Sequence, residues 1–261
     1  MFIDHITVAG PDLAELQMGL AAAGLSSDYG GVHGNGITHM ALAGFMDGSY
    51  LEIVSPLRSD GRISLWHDFA LPYRGGTAWT IGSDDVGGDL ARARKSGIET
   101  RGPVVIRREK PDGEVGAWEL GYLGSGQPGG VLPFLIHDLT ARSVRVKPSA
   151  GFGEALQGWS AIVLAVHDRE AAASQFHAVY GWKTNVYDGD LLHFAGTPVY
   201  LTSSQAHLAE FGESPCAATL RAADSRCSQL QYSNFSKLAG GNVGWLDLPW
   251  KNFRIGVEAV L

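Results

Sequence analysis

The sequence predicts an α+β fold in which four β-α-β-β-(β) modules pair into two barrel-like curved sheets with helices outside. Three observations lead to this prediction. A strand followed by an aspartate-capped helix recurs along the chain, strand-like runs follow each helix, and the 35 glycines of the 261 residues are dispersed. Dispersed glycines, including pairs such as Gly30-Gly31 and Gly87-Gly88, indicate many tight turns between short elements. Because one module cannot cover both faces of its own sheet, we expect the modules to pair.

The repeat begins with the first strand and helix of the chain. Residues 5–12 alternate like a strand and end at Asp12, which is suited to capping a helix. The helix predicted over 13–23 has apolar residues at helical spacing and stops at Gly24. The same pattern recurs three more times. Residues 78–85 precede a helix that stops at Gly97, and residues 161–168 precede a helix that stops at Gly181. A weaker copy over 217–224 precedes a helix-like stretch that fades toward Gly240.

Strand-like runs separated by turn residues complete each module. In the first module these runs are 38–43 and 50–54. In the second they are 104–108, 115–122 and 132–136, and in the third they are 182–187, 191–194 and 198–202. The strand pattern lapses over 140–158, where 148–153 looks like a connection. We therefore expect the following units: a first barrel over 1–139 with modules 1–76 and 77–139, a linker over 140–158, and a more divergent module pair over 159–261.

Composition and charge exclude several classes of function. The net charge of −7 and the pI near 5.7 argue against nucleic acid or an anionic membrane as the main partner. No apolar run approaches the length of a membrane span, and the opening residues lack a secretion signal. Cys216 and Cys227 form no CxxC motif, and no phosphate-binding glycine loop is present. We expect a cytoplasmic protein that acts on a small molecule.

Five short segments point to a known family. They are Ile3-Asp-His5, Gly30-Gly-Val-His33, Asp47-Gly-Ser-Tyr-Leu-Glu52, Arg108-Glu-Lys-Pro-Asp-Gly113 and Leu132-Pro-Phe134. Together with the module pattern, they resemble the vicinal-oxygen-chelate superfamily of glyoxalases, extradiol dioxygenases and fosfomycin-resistance proteins, and more narrowly the glyoxalase-like domain family. The resemblance covers roughly residues 2–137, whereas the second half matches only in its module pattern.

The resemblance implies that site residues lie on the first and last strands of each module and face into the barrel. The residue seven positions before each of the four predicted capping aspartates is, in chain order, His5, Ala78, Ala161 and Ala217. One histidine thus replaces a small residue at an inward position. On the last strand of the first module, Glu52 faces the opposite side from its neighbours. Its expected counterparts are Phe134, or a neighbour, in the second module and Tyr200 in the third.

His5 and Glu52 are therefore expected side by side, as ligands of a divalent metal such as Zn, Fe, Mn or Ni. His137 is the preferred third ligand, followed by His33 and His39. Such a face with open positions would chelate two oxygens of a substrate. The alternative is a metal-free acid–base pair in which burial in an apolar cavity raises the pKa of Glu52, so that the carboxylate acts as a base. An isolated strand histidine without chemistry is the remaining interpretation of His5.

Other residues are expected to complete the site. His33 follows two glycines and is expected to be catalytic with His5 and Glu52. His39 stands where the family has a Gly-Thr-x-Asn run, which points to a substrate contact. Arg108 is expected to clamp an anionic or keto oxygen, unless it is an ordinary hairpin residue. The aromatic side chains expected to bind substrate or fill the core are Trp79 and Trp118.

Three functions remain open at this stage. The first is a lyase or isomerase that acts on a small compound with vicinal oxygens or a keto group, in the manner that the resemblance implies. The second is an Fe(II) ring-cleaving dioxygenase, although Ala161 and Ala217 stand where modules three and four would need histidine. The third is a non-catalytic protein that binds or sequesters a small molecule. The second barrel would be structural or a dimerisation surface, so a homodimer is an expected assembly.

Overall fold

In a computed structural model, the residues that are described form sixteen strands arranged in two eight-stranded sheets. The structure describes residues 2–58, 75–126, 128–151, 155–183, 185–222, 225–250 and 252–258. The strands of the first sheet are β1 (Ile3–Ala9), β2 (Asp28–Val32), β3 (Thr38–Gly44), β4 (Tyr50–Pro56), β5 (Gly75–Gly82), β6 (Thr100–Glu109), β7 (Val115–Leu123) and β8 (Phe134–Asp138). Those of the second are β9 (Leu156–Ala165), β10 (Asn185–Asp188), β11 (Leu191–Phe194), β12 (Val199–Thr202), β13 (Ser214–Ala222), β14 (Tyr232–Leu238), β15 (Gly241–Leu246) and β16 (Arg254–Glu258).

The two sheets have the same topology. The first runs β2-β3-β4-β1-β5-β8-β7-β6, and the second runs β10-β11-β12-β9-β13-β16-β15-β14. Each strand of the second sheet therefore has an equivalent in the first sheet whose number is lower by eight, so that β9 corresponds to β1 and β16 to β8. This confirms the prediction of an α+β fold made of four modules in two curved sheets.

Aspartate caps begin the helices of the first three modules, as predicted. The helices are α1 (Leu13–Ala22), α2 (Val86–Lys95), α3 (Arg142–Arg145), α4 (Arg169–Tyr180) and α5 (Gln205–Phe211). The carboxylates of Asp12, Asp85 and Asp168 each accept a backbone N–H from the first turn of α1, α2 and α4. Gly181 ends α4 with φ of 72°, a conformation that favours glycine.

Three local predictions are wrong. Gly30 and Gly31 do not form a turn but lie within β2, where Gly31 has φ of 98° beside a bulge. Gly87 and Gly88 lie in the first turn of α2, where the Gly88 N–H donates to Asp85. The helix-like stretch of the fourth module is a 3-10 turn (Ser225–Gln229) followed by β14, and its predicted cap, Asp224, lies outside the described residues.

The central strand pair relates the modules of the first sheet by an approximate two-fold axis. β1 runs antiparallel to β5, with His5 opposite Thr80 and Thr7 opposite Ala78. Parallel pairing then places Thr7 beside Glu52 and Thr80 beside Phe134. Ala78 and Phe134 therefore occupy the positions of His5 and Glu52 in the second module. This register agrees with the count from the capping aspartates.

A single large hydrophobic cluster joins the two halves of the chain. It contains buried side chains from both sheets and from α1, α2 and α4. Trp79 of the first sheet lies in it beside Phe176 of α4, with 6.3 Å between ring centroids. The Trp159 indole donates to the Tyr50 carbonyl at 3.0 Å across the same boundary. None of the helices in the described ranges is both long enough and apolar enough to cross a membrane.

Candidate functional site

The first sheet carries a cavity of about 370 Å³ on the face away from the large hydrophobic cluster. Its lining is divided into two chemically different surfaces. The polar wall comprises His5, Thr7, His33, Thr38 and Glu52. The aromatic wall comprises Trp118, Tyr122 and Phe134. Because alternate residues of a strand face one side of a sheet, His5 and Thr7 of β1 reach the cavity together.

His5 is held in one orientation from three sides. Its side chain is nearly buried, at 7% exposure. Nδ1 donates to the Asp4 carboxylate at 2.7 Å, and Nε2 contacts the Thr80 hydroxyl at 3.0 Å. The imidazole also stacks on Tyr50, with 4.6 Å between ring centroids. Both ring nitrogens are therefore engaged by the protein.

Glu52 has unequal contacts at its two carboxylate oxygens. Oε2 accepts from the Thr7 hydroxyl at 3.0 Å, whereas Oε1 has a longer contact of 3.4 Å with Nε2 of His33. Burial raises the pKa of Glu52, but the hydrogen bond and charge of His33, the charge of His5 and the Thr7 hydroxyl lower it to about 2. The predicted rise of this pKa is wrong because the prediction included burial and omitted His33.

The loop that carries His33 is ordered by its own hydrogen bonds. His33 follows β2, and its backbone N–H donates to the Thr38 carbonyl at 2.9 Å. Nδ1 contacts the Thr38 hydroxyl at 2.7 Å, and Asn35 accepts from the backbone N–H groups of Ile37 and Thr38. The structure thus places His33 beside Glu52, in the cavity that His5 also lines, on a turn held by hydrogen bonds.

A buried ion network lies behind His5 and contains residues that sequence reasoning missed. Arg145 of α3 is 2% exposed and donates to Asp4 at 2.8 and 2.9 Å and to Asp138 at 2.7 and 3.0 Å. Arg142 also pairs with both carboxylates, at 2.6 and 3.1 Å. Burial raises the pKa of Asp4, but Arg145 and His5 hold it well below its usual range. An ionised carboxylate therefore lies against His5.

Two other predicted contacts do line the cavity. Arg108 of β6 is 7% exposed, and its guanidinium lies 5.3 Å from the centroid of the Trp118 ring. Trp118 lies on the neighbouring strand β7. Tyr122 and Phe134 continue the aromatic wall in an edge-to-face arrangement, with centroids 4.9 Å apart.

Three predicted site residues lie away from the cavity, and their roles require correction. His39 faces away from its neighbours Thr38 and Met40 and lies 6.0 Å from the ring of Tyr29; burial and the nearby charge of His33 lower its pKa. Trp79 is fully buried in the shared core, where its indole donates to the Val131 carbonyl at 2.9 Å.

His137 is the third of these residues, and strand parity explains its position. Phe134 and Ile136 of β8 line the cavity, so His137 points to the other face of the sheet. There its Nδ1 donates to the Ser83 carbonyl at 2.9 Å. His137 therefore cannot serve as the third metal ligand beside His5 and Glu52.

The donor set does not fit the divalent metal that the resemblance implies. Within the described ranges, no group of three or more His, Cys, Asp or Glu side chains is placed to hold a metal ion. His5 has both nitrogens engaged, and the equivalent positions across the two-fold axis hold Ala78 and Phe134, which have no donor atoms. An acid–base pair is the chemistry that these residues can support.

The second sheet has a smaller cavity of about 190 Å³ at the corresponding place. Ala161 and Tyr200 line this cavity at the positions that His5 and Glu52 occupy in the first. The strand pairing shows the equivalence. Tyr200 lies beside Val163, two residues after Ala161, just as Glu52 lies beside Thr7, two residues after His5. Its one carboxylate, Glu258, contacts the Thr219 hydroxyl at 3.4 Å. The histidine and carboxylate of His5 and Glu52 are therefore present in the first sheet and absent from the equivalent positions of the second.

Comparisons with known proteins agree with this architecture. Residues 3–180 match the family described as glyoxalase-like domain, while no curated protein matches. A hypothetical protein from Staphylococcus aureus superimposes with a TM-score of 0.66 at 13% identity, over 98% of both chains. The Mn(II)-bound glyoxalase from Novosphingobium aromaticivorans gives 0.63 at 12% identity, over 98% of this chain and 81% of that one. A mutant 4-hydroxymandelate synthase from Streptomyces coelicolor gives 0.61 at 11% identity, over 98% and 92%. At these identities the structural likeness shows the fold alone.

Proposed function

The chain belongs to the glyoxalase-like domain family of the vicinal-oxygen-chelate superfamily, and from this premise we propose that it is an isomerase or lyase that moves a proton without a metal. The substrate is a small oxygenated compound with a carbonyl group. The observation that carries the proposal is the contact between Glu52 and His33 at the edge of an aromatic-walled cavity. Glu52 is the base, and His33 is its acid partner.

The unequal contacts of Glu52 indicate which oxygen acts. The Thr7 hydroxyl holds Oε2, so the carboxylate keeps its orientation when the longer contact of Oε1 with His33 opens. Oε1 takes a proton from the carbon next to the carbonyl, the electron pair of that C–H bond forms a carbon–carbon double bond, and the π electron pair of the carbonyl moves to its oxygen. The His33 imidazole, acting as an N–H donor, stabilises the resulting enolate.

Substrate entry strengthens this base. A carboxylate with a pKa of about 2 is a weak proton acceptor. The contact with His33 contributes most to the low pKa, while burial acts in the opposite direction. A substrate that separates the two side chains and excludes water leaves burial as the dominant effect, which raises the pKa of Glu52 toward the working pH.

Hydrogen exchange in heavy water tests the proposal. Small 2-oxo and 2-hydroxy acids, aldehydes and ketones are incubated with the protein in D₂O, and loss of C–H signals is followed by NMR. We expect exchange next to the carbonyl of at least one compound, and a fall of about 100-fold or more in Glu52→Gln. His39→Gln is the matched control, because His39 lies on the other face of β3 and should retain the wild-type rate.

Other outcomes separate the alternative functions. Compounds that bind in the cavity without any exchange would contradict catalysis and favour a sequestering protein. Exchange that is abolished by a chelator and restored by Mn²⁺ would contradict the metal-free mechanism and return His5 and Glu52 to the role of ligands. Consumption of dioxygen with added Fe²⁺ would favour the ring-cleaving dioxygenase.

A further inference from the structure

Arg108 is a buried cation whose hydrogen-bonding capacity is largely unused. Nη2 donates to the Arg145 carbonyl at 3.0 Å, and Nη1 contacts the thioether of Met40 at 2.9 Å, a weak acceptor. Nε is buried and has no hydrogen-bond partner among the described residues. A guanidinium carries more N–H donors than these contacts use, and the described residues give it no ion pair. Burying a charge without a counterion is costly.

Arg145 shows how the same fold treats a buried guanidinium that is structural. That side chain is also buried, but it makes bidentate contacts with Asp4 and Asp138 and a further contact with the Tyr50 hydroxyl at 2.8 Å. Arg145 is therefore fully neutralised by the protein. Arg108, on the cavity wall, lacks such a partner, and a ligand can supply it.

We propose that Arg108 binds the carboxylate of the substrate, which is a small carboxylic acid with an aromatic or other flat apolar body. This inference rests on the proposed function, because it names the substrate class of the same cavity. A guanidinium recognises a carboxylate through two parallel N–H donors, and its unused donors allow this geometry. The aromatic wall of Trp118, Tyr122 and Phe134 accepts the apolar body.

The arrangement of charge in the cavity supports an oriented ligand. Arg108 is contributed by β6, at one edge of the sheet, and Glu52 by β4, beyond the central strand pair. An anionic group is attracted by Arg108 and repelled by the ionised Glu52, so the carboxylate faces the first of these residues. The uncharged part of the substrate then lies toward the base.

Binding of benzoate, compared with its neutral counterpart benzamide, tests this inference by calorimetry. Benzoate has the proposed carboxylate and aromatic ring but no hydrogen on a carbon next to a carbonyl, so binding is measured apart from catalysis. We expect benzoate to bind the wild-type protein about tenfold or more tightly than benzamide. Arg108→Met should abolish this preference, and Arg108→Lys should retain part of it.

The control is Arg107→Met, which removes an exposed guanidinium from the adjacent position and should retain the wild-type preference. Benzoate that binds no more tightly than benzamide, or a preference that persists in Arg108→Met, would overturn the inference. The comparison of benzoate with benzamide on the wild-type protein still tests the inference if the Arg108 variants fold poorly. A benzoate preference that survives in Glu52→Gln, while hydrogen exchange is lost, separates recognition by Arg108 from proton transfer by Glu52.

Discussion

Tyr50 shows how a side chain without a role in proton transfer sets the geometry of the site. Its ring stacks on His5, and its hydroxyl accepts from Arg145 at 2.8 Å. Burial is the largest influence on Tyr50 and raises its pKa, so the phenol remains neutral between a cation and an imidazole. His5 is therefore fixed by one carboxylate, one hydroxyl and one aromatic face, all supplied by buried residues.

The lowered pKa of Glu52 predicts a change of stability with pH. A group whose pKa is lower in the folded state stabilises it above the unfolded pKa, here 4.5, and loses this contribution as pH falls toward about 2. The free energy of unfolding should therefore fall by about 3 kcal/mol more in the wild type than in Glu52→Gln over this window. Urea unfolding at a series of acidic pH values measures the difference.

Glu99→Gln is the control for this measurement, because Glu99 is an exposed residue outside the cavity. This variant should show the same dependence on pH as the wild type. If Glu52→Gln loses stability as steeply as the wild type, the carboxylate is not stabilised by His33 and Thr7 in the way that the structure indicates.

Strand alternation could have identified most of the site residues from the sequence. Once His5 and Glu52 are placed inward, Thr7 and Tyr50 must share that side, because each lies two positions away on the same strand. The same rule assigns His137 to the opposite face from Phe134. Arg145 could not be found in this way, because it approaches Asp4 from 141 residues along the chain and from a segment without strand periodicity.

At the scale of secondary structure, the aspartate caps explain why the module repeat can be recognised from the sequence. Each capping carboxylate satisfies backbone N–H groups that would otherwise lack partners in the first turn. Since the cap fixes where the helix starts, it also fixes the distance back to the inward position of the preceding strand. This local chemistry made His5 stand out against three alanines.

Neighbouring aspartates in the second module test the strength of a cap. Asp85 accepts from the Gly88 N–H at 2.8 Å, whereas Asp84 is exposed beside it. Asp85→Ala should lower the free energy of unfolding by about 1 kcal/mol, and Asp84→Ala by less than about 0.5 kcal/mol. Chemical denaturation of both variants measures this; equal effects would show that the carboxylate of Asp85 does not stabilise α2.

The elements that the sequence failed to predict depend on contacts made elsewhere in the chain. β2 contains two glycines with little intrinsic strand preference, and its pairing with β3 determines its conformation. The fourth module is predicted to continue from its first strand into a helix-like stretch, yet part of that stretch forms β14 beside β15. In both cases, pairing with a neighbouring strand outweighs local preference, which a single sequence does not reveal.

We expect the whole molecule to unfold as one unit, because buried side chains from both halves of the chain form one hydrophobic cluster. Trp79, Phe176 and Trp159 connect the two halves through buried aromatic contacts and a hydrogen bond to Tyr50. Neither half can separate without exposing this surface to water. The two sheets are therefore expected to lose structure together, although each has its own complete set of strands.

Calorimetry of Trp79→Ala tests this cooperativity. Removing a fully buried indole from the shared core should lower the free energy of unfolding by about 3–5 kcal/mol. The variant and the wild type should each show a single transition, with equal calorimetric and van't Hoff enthalpies. Two separate transitions in the wild type would show that the halves are independent units.

The two-fold relation within the first sheet places unlike chemistry at matching positions, with Glu52 on one side of the central strand pair and Phe134 on the other. A flat intermediate lying between them meets a proton acceptor on one face and a hydrocarbon ring on the other. Under the proposed function, hydrogen leaves and returns on a single face of the molecule. The reaction would then distinguish mirror-image substrates, although the scaffold around it is nearly symmetric.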